Sequence, residues 1–325
     1  MAWPDGGTNE VTTKIGTAGA PTRDHESIAA WEADTDDNCV TGWGAGDYAD
    51  PCSPVGECYD DGDLEYYYLY GATTDSTHYR TLTVAVGQRH DGTAYGGGVT
   101  SASNTAYARL QRDLYSVVEW LICTGSGSPA VCIAYYTPAD SFGVARFIVC
   151  ATTGDIGFFR DNMGAGGVVW AQNCIAHSGS EYAFRLMTLV DNCTALGNAN
   201  TAYLVQGCVC HNTISIGGTT ACFHDSSGTN NISGDTTDAG ADTINSVAST
   251  IFLNVGAGTE DLHLDSEDVE FEHADDAGAD LSAYFTIDID GQTRVDWDIG
   301  ADEFISGAPT GIPAHSDYYF RMRGQ

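Results

Sequence analysis

The chain has 325 residues and carries 45 acidic residues against 12 basic ones, a formal charge of −33 in which Lys14 is the only lysine. Such a field repels nucleic acid, which demands cationic contacts to its phosphates, and equally a polyuronate or an anionic bilayer. With 42% hydrophobic residues, 17 Tyr, 11 Phe and 6 Trp the chain is not disordered, and its 39 glycines suit a fold that turns every few residues.

The N-terminal MAWPDGGTNEV has neither the cationic nor the apolar region of a secretory signal, and no apolar run approaches membrane-spanning length, so no membrane insertion is expected. Residues 1–20 read as extended chain. In DHESIAAWEADTDD, Asp24 is placed to cap a short helix whose apolar side carries Ile28, Ala29, Trp31 and Ala33. The first rung of a stacked fold needs a cover, and Trp31 is the best plug residue, with a second reading as a docking contact. Cys39, Cys52 and Cys58 lie in this polar region, where a Cys39–Cys52 or Cys52–Cys58 disulfide is conceivable. The other eight of the eleven cysteines stand in apolar contexts and read as small buried hydrophobes; Cys208 and Cys210 complete no zinc pattern.

Strand signals follow at VGECYDD, EYYYLYG and TLTVAVG, a glycine-rich turn at 89–103, and a regular stack from SVVEWLICTG onward. Between 168 and 233 the stack becomes a visible repeat. Asn173-Cys174 returns as Asn192-Cys193, then come His211-Asn212-Thr213 and Asn230-Asn231-Ile232, on a beat of 19 or 20 residues. Two short strands per period, with no room for a helix, predict an all-β parallel solenoid. Asn173, Asn192, Asn212 and Asn231 are expected to form an inward ladder at one corner, with a structural role. The longer interval before it places a projecting loop at 160–167. The expected division is an N-terminal arm and capping helix at 1–54, a solenoid at 55–305 and a C-terminal docking tail at 306–325. In that tail Tyr318, Tyr319, Phe320, Arg321 and Arg323 are the candidate partner contacts.

The segments DLHLD, DDAGAD, DIDGQTR and DIGADEF resemble the C-terminal end of right-handed parallel β-helix proteins of the pectate-lyase-like superfamily. The matching residues are Asp261 to Leu264, Ala277 to Asp280, Asp288, Asp290, Gly291 and Arg294, and Asp298 to Phe304. The resemblance implies a single-stranded right-handed β-helix in which Asp298, Asp302 and Arg294 fasten the last turn. The usual S-P-A-I before the Asp-Ala-Gly turn is replaced here by FEHADDAG. The N-terminal arrangement, RDHESIAAWEA with a first strand near VGECYD and then RHDGTAYGGG, also resembles uncharacterised β-helix proteins of marine phages and prophages. No cofactor is expected; the DxDG segment makes Asp288 and Asp290 weak calcium candidates, although the spacing completes no EF-hand.

Three functions compete. The first is a non-catalytic virion component (spike, fibre or decoration protein), a homo-oligomer with the trimer as the common form, meeting other virion proteins or a host surface glycan. The second is a polysaccharide-cleaving enzyme with carboxylates on adjacent rungs, for which Asp155, Asp161, Glu181, Asp191 and Asp225 are candidates, with Arg160, Arg185 and His224 nearby. The third is an extracellular surface adhesin. A uronic-acid lyase would need more basic residues than the chain has.

Overall fold

The computed structural model describes residues 7–17, 22–43, 48–64, 67–93, 97–102, 109–111, 113–125, 131–135, 141–152, 156–160, 167–178, 181–198 and 201–305. Three long sheets of nine, eight and seven strands form a parallel β-helix, and every pairing within them is parallel. One complete rung is Val168–Gln172 in sheet 1, Ile175–Ser178 in sheet 2 and Tyr182–Arg185 in sheet 3. The rung therefore holds three strands and not two. The reason lies at the corner between sheets 1 and 2, where one residue in left-handed conformation makes the whole turn. The strands on either side of it read in sequence as a single apolar run.

That corner row is Trp120, Phe147, Asn173, Asn192, Asn212 and Asn230, with φ between 46° and 66°. Asparagine tolerates this region; tryptophan and phenylalanine rarely enter it. The two aromatic corners support each other by stacking at 4.4 Å, and Arg89 lies 4.3 Å over the Trp120 ring. Strand pairing assigns Asn230, not Asn231, to the row, because Ile214 pairs with Ile232 and each stands two residues after its corner. Asn231 instead occupies the position of Cys174, Cys193 and Thr213. There its side chain accepts from the Thr213 N–H at 2.9 Å and donates to the Cys210 carbonyl at 3.0 Å.

Inside the coil each position stacks on its equivalent. Leu82, Val118, Ala145, Ala171, Val190 and Cys210 form one fully buried file, and Phe158 stacks on Phe184 at 4.9 Å. Cys123 pairs in register with Cys150, and ten cysteines, Cys39, Cys52 and Cys58 among them, are buried free thiols. Burial pushes the Cys39 thiol up to about 12.

The parallel stack begins earlier than expected, since Glu10–Ile15 pairs with Ser53–Cys58 inside the predicted arm. Helix α1 (Ile28–Thr35) is capped by Ser27, whose hydroxyl accepts from the Ala30 N–H at 3.0 Å. Asp24 takes another job, accepting from the Lys14 N–H at 2.8 Å. Trp31 is fully buried and lies, with Ile15, over Gly56; a Cβ there would sit 2.8 Å from the indole. Trp31 thus faces the interior of its own chain as a plug, not an outer docking surface. Buried Arg80 clamps helix to coil through Asp113 at 2.6 Å and Glu32 at 3.3 Å.

The described residues after Asn245 add no further rungs. After Ile244–Asn245 the chain forms an antiparallel hairpin, Phe252–Asn254 with Asp261–Leu264, and then an irregular strap over 274–304. The corner asparagines reach outward to this strap and not inward. Asn230 donates to the Ala277 carbonyl, Asn212 exchanges bonds with Ala279, Asn192 donates to the Asp298 and Gly300 carbonyls, and Asn173 donates to the Ile287 carbonyl. Their inter-rung contact is a single bond, Asn212 to Asn192 at 3.0 Å. Replacing Asn231 by Ala leaves a buried N–H and carbonyl unpaired and is predicted to cost about 2–3 kcal/mol, whereas Asn230→Gly keeps its φ and costs under about 1 kcal/mol. Chemical denaturation of the two variants checks the order.

Candidate binding surface on the third sheet

Outward positions of sheet 3 form two files. In one, Phe159, Arg185, Gln206 and His224 pair in register; in the other, Ile156 pairs with Tyr182 and Tyr203 with Ala221. Side chains from the two files join in one column. Tyr182 stacks on Tyr203 at 6.1 Å with planes 12° apart, and Tyr203 meets the His224 ring at 4.5 Å. Arg185 lies 4.7 Å over Tyr182 and 5.4 Å from Phe159, and Gln206 bonds to His224 at 3.2 Å. Parallel in-register pairing is what produces this column, because equivalent residues recur about 4.8 Å apart. Phe159, Tyr182, Arg185, Tyr203, Gln206 and His224 are half-buried, whereas Ile156 and Ala221 are buried.

The stacked rings cover one another's faces and turn their polar edges to solvent. Neither the Tyr182 nor the Tyr203 hydroxyl bonds to a described residue. Arg185 has no carboxylate partner among the described residues, in a chain with 45 acidic ones. This surface was not singled out from the sequence as a site. Tyr182 and Tyr203 are equivalent in register, but His224 is equivalent to Gln206 and not to Tyr203, and strand alternation alone could not say which of the three face out.

The described carboxylate candidates do not converge. Glu181 is exposed, one residue before Tyr182–Arg185. Asp225 is an exposed corner residue with φ 50°, equivalent to Leu186 and Gly207 at the turn from sheet 3 to sheet 1. Asp191 stands on sheet 1, buried beside His211 at 2.8 Å. The three stand at three different register positions, so no two form an adjacent-rung pair. Glu119 shares a file with Asp191, but Arg146 and Gln172 intervene. Three strand spacings make about 14 Å, beyond the 5–9.5 Å a glycosidase needs. Asp155, Asp161, the 161–166 part of the loop and the whole tail with Tyr318, Tyr319, Phe320, Arg321 and Arg323 lie outside the described residues. Arg160 donates to Thr188 at 3.1 Å.

Of the calcium candidates, Asp288 is fully buried and already committed. Its oxygens accept from the N–H groups of Asp290, Gln292 and Glu303. Burial, with repulsion from Asp290 and Asp302, pushes its pKa well above the usual carboxylate range. Asp290 turns instead to His263. Arg294, also buried, joins Glu303 at 3.1 Å, Asn173 at 2.8 Å and the Gly300 and Ala301 carbonyls, which is the fastening role expected of it. Asp298 binds the Asp276 and Phe304 N–H groups and is raised by burial to about 7. No helix among the described residues is long and apolar enough to cross a membrane. No family model, curated protein or solved structure matches the chain.

Burial raises the pKa of Asp191, and the hydrogen bond that His211 donates to Asp191 raises that of His211 above its usual 6.5. The raised imidazole adds stability that is fully present below the unfolded value and is lost as pH rises through the folded one. Histidine NMR titration is predicted to place the His211 midpoint above 6.5, and Asp191→Asn is predicted to move it down.

Proposed function

We propose that this protein is a non-catalytic recognition rod that binds an extended neutral glycan along the outer face of sheet 3. The observation that carries the reading is the continuous column Arg185–Tyr182–Tyr203–His224, whose tyrosine hydroxyls and guanidinium have no hydrogen-bond or carboxylate partner among the described residues. A polyhydroxylated chain laid along the coil axis meets a donor or acceptor at every rung. Stacked bases would also suit aromatic rings, but a formal charge of −33 opposes their phosphates. A neutral glycan brings no such repulsion. The wide separation of Glu119 from Asp191 and the scattering of the other described carboxylates favour binding over hydrolysis.

The pectate-lyase-like superfamily, with its right-handed coil, and the place of the rod on a virion as spike or fibre, belong to the same proposal. The superfamily rests on the C-terminal sequence resemblance together with the stacked parallel sheets, and the virion location on the resemblance of the N-terminal arrangement to phage and prophage β-helix proteins. Mass spectrometry of purified particles tests the location, and absence of the chain from virions removes it.

A glycan array followed by calorimetry on the best neutral ligand tests the binding. Tyr203→Ala and Arg185→Ala are each predicted to weaken it about tenfold or more without lowering thermal stability by a comparable amount. Binding that survives both substitutions contradicts the assigned surface.

A further inference from the structure

A second cluster lies where the strap meets the coil, far in sequence from the column on sheet 3. His263 is on the hairpin strand Asp261–Leu264, Asp290 in the DIDG turn and Asp302 near the strap's end. One ligand-capable atom from each lies within 4.8 Å of the others. We propose that these three side chains form a divalent transition-metal site of the zinc class, a clasp that ties the hairpin to two turns of the strap.

Four observations carry the assignment. The Nδ1 of His263 is hydrogen-bonded to Asp261, which fixes the ring and leaves Nε2 facing the other carboxylates. Metal-bound imidazoles are held by this carboxylate–histidine arrangement. The Nε2 stands 3.0 and 3.1 Å from the two oxygens of Asp290. Neighbouring ligands on a metal with bonds of about 2.1 Å are separated by about 3.0–3.4 Å, so the spacing admits a shared ion with little movement.

Asp302 is buried, and only one of its oxygens is used, by the Leu264 N–H at 2.8 Å; its Oδ1 accepts no hydrogen bond among the described residues. Charge supplies the third observation. The carboxylates of Asp261, Asp290 and Asp302 share one imidazole, that of His263. Buried unbalanced charge is expensive, and a dication offsets it.

The fourth is Gly92, at φ 79°, which brings the coil's backbone against the cluster. A Cβ at that position would lie 2.5 Å from Asp290 Oδ1 and 2.6 Å from His263 Nε2. No side chain fits there, so only glycine lets the coil's backbone come this close to two of the three ligands. An imidazole with two carboxylates suits zinc or a neighbouring first-row ion better than calcium, which prefers oxygen alone.

The test is calorimetric titration of tag-free, EDTA-treated full-length protein with zinc chloride, run beside calcium chloride and beside Asp302→Asn and His263→Gln. The wild type is expected to take up one zinc per chain, and at hundredfold excess over Kd its Tm should rise by about 4 °C. Asp302→Asn keeps an acceptor for the Leu264 N–H and should bind at least tenfold more weakly, as should His263→Gln. Cobalt(II) bound at one equivalent should show no thiolate charge-transfer band, which separates this site from the cysteines. The proposal is overturned by no saturable one-equivalent binding, which would leave an ion pair of His263 with its aspartates. Zinc affinity equal to wild type in both variants overturns it too, and calcium binding as tight as zinc overturns the assigned metal class.

Discussion

The single-residue turn between sheets 1 and 2 is the constraint from which most of this molecule follows. A residue at positive φ ends one strand and starts the next with no loop, and its side chain must project away from the coil. Polar side chains so placed need partners, and a bare coil offers none. The strap supplies them through the carbonyls of Ala277, Ala279, Ile287, Asp298 and Gly300. In return Asn212 gives the strap an acceptor for the Ala279 N–H and Thr194 gives one for Ala301. Corner and strap therefore satisfy one another's buried polar groups.

The same dependence explains how so acidic a chain folds its most acidic segment inward. Residues 260–303 hold 16 carboxylates and Arg294 as their one arginine or lysine. Arg294 is fully buried and meets a carboxylate, an amide and several carbonyls at once, which a planar guanidinium can do and an ammonium cannot. Several carboxylates are spent on backbone N–H groups: Asp288, Asp298 and Glu303 each bind two or more. Arg80 does the equivalent work at the other end, beneath the capping helix.

The parallel solenoid could be read from the return of Asn-Cys and of the apolar patches, because in-register stacking repeats local chemistry once per rung. The count of strands could not, since a turn of one residue leaves no mark in hydropathy. Counting 19 from Asn212 lands on Asn231, but that rung is 18 residues long and the corner is Asn230. Trp120 and Phe147 were invisible as corners, because bulky residues at positive φ run against every local preference. The fastening role of Arg294 was legible through the resemblance, whereas the direction of the asparagines was not. Nothing local to His263 tells that Asp302, 39 positions later, lies beside it; only the strap's path does that. The column on sheet 3 depends likewise on knowing which strand face is outside.

Native-state hydrogen exchange tests the corner-and-strap account most directly. The amides of Ala279, Gly300 and Ala301 bond to Asn212, to its carbonyl and to Thr194 respectively. If the strap is an integral part of the fold, they exchange as slowly as the amides of Ile214–Ile216 in the coil itself. Exchange at the rate of exposed loops, with the coil amides still protected, would contradict it.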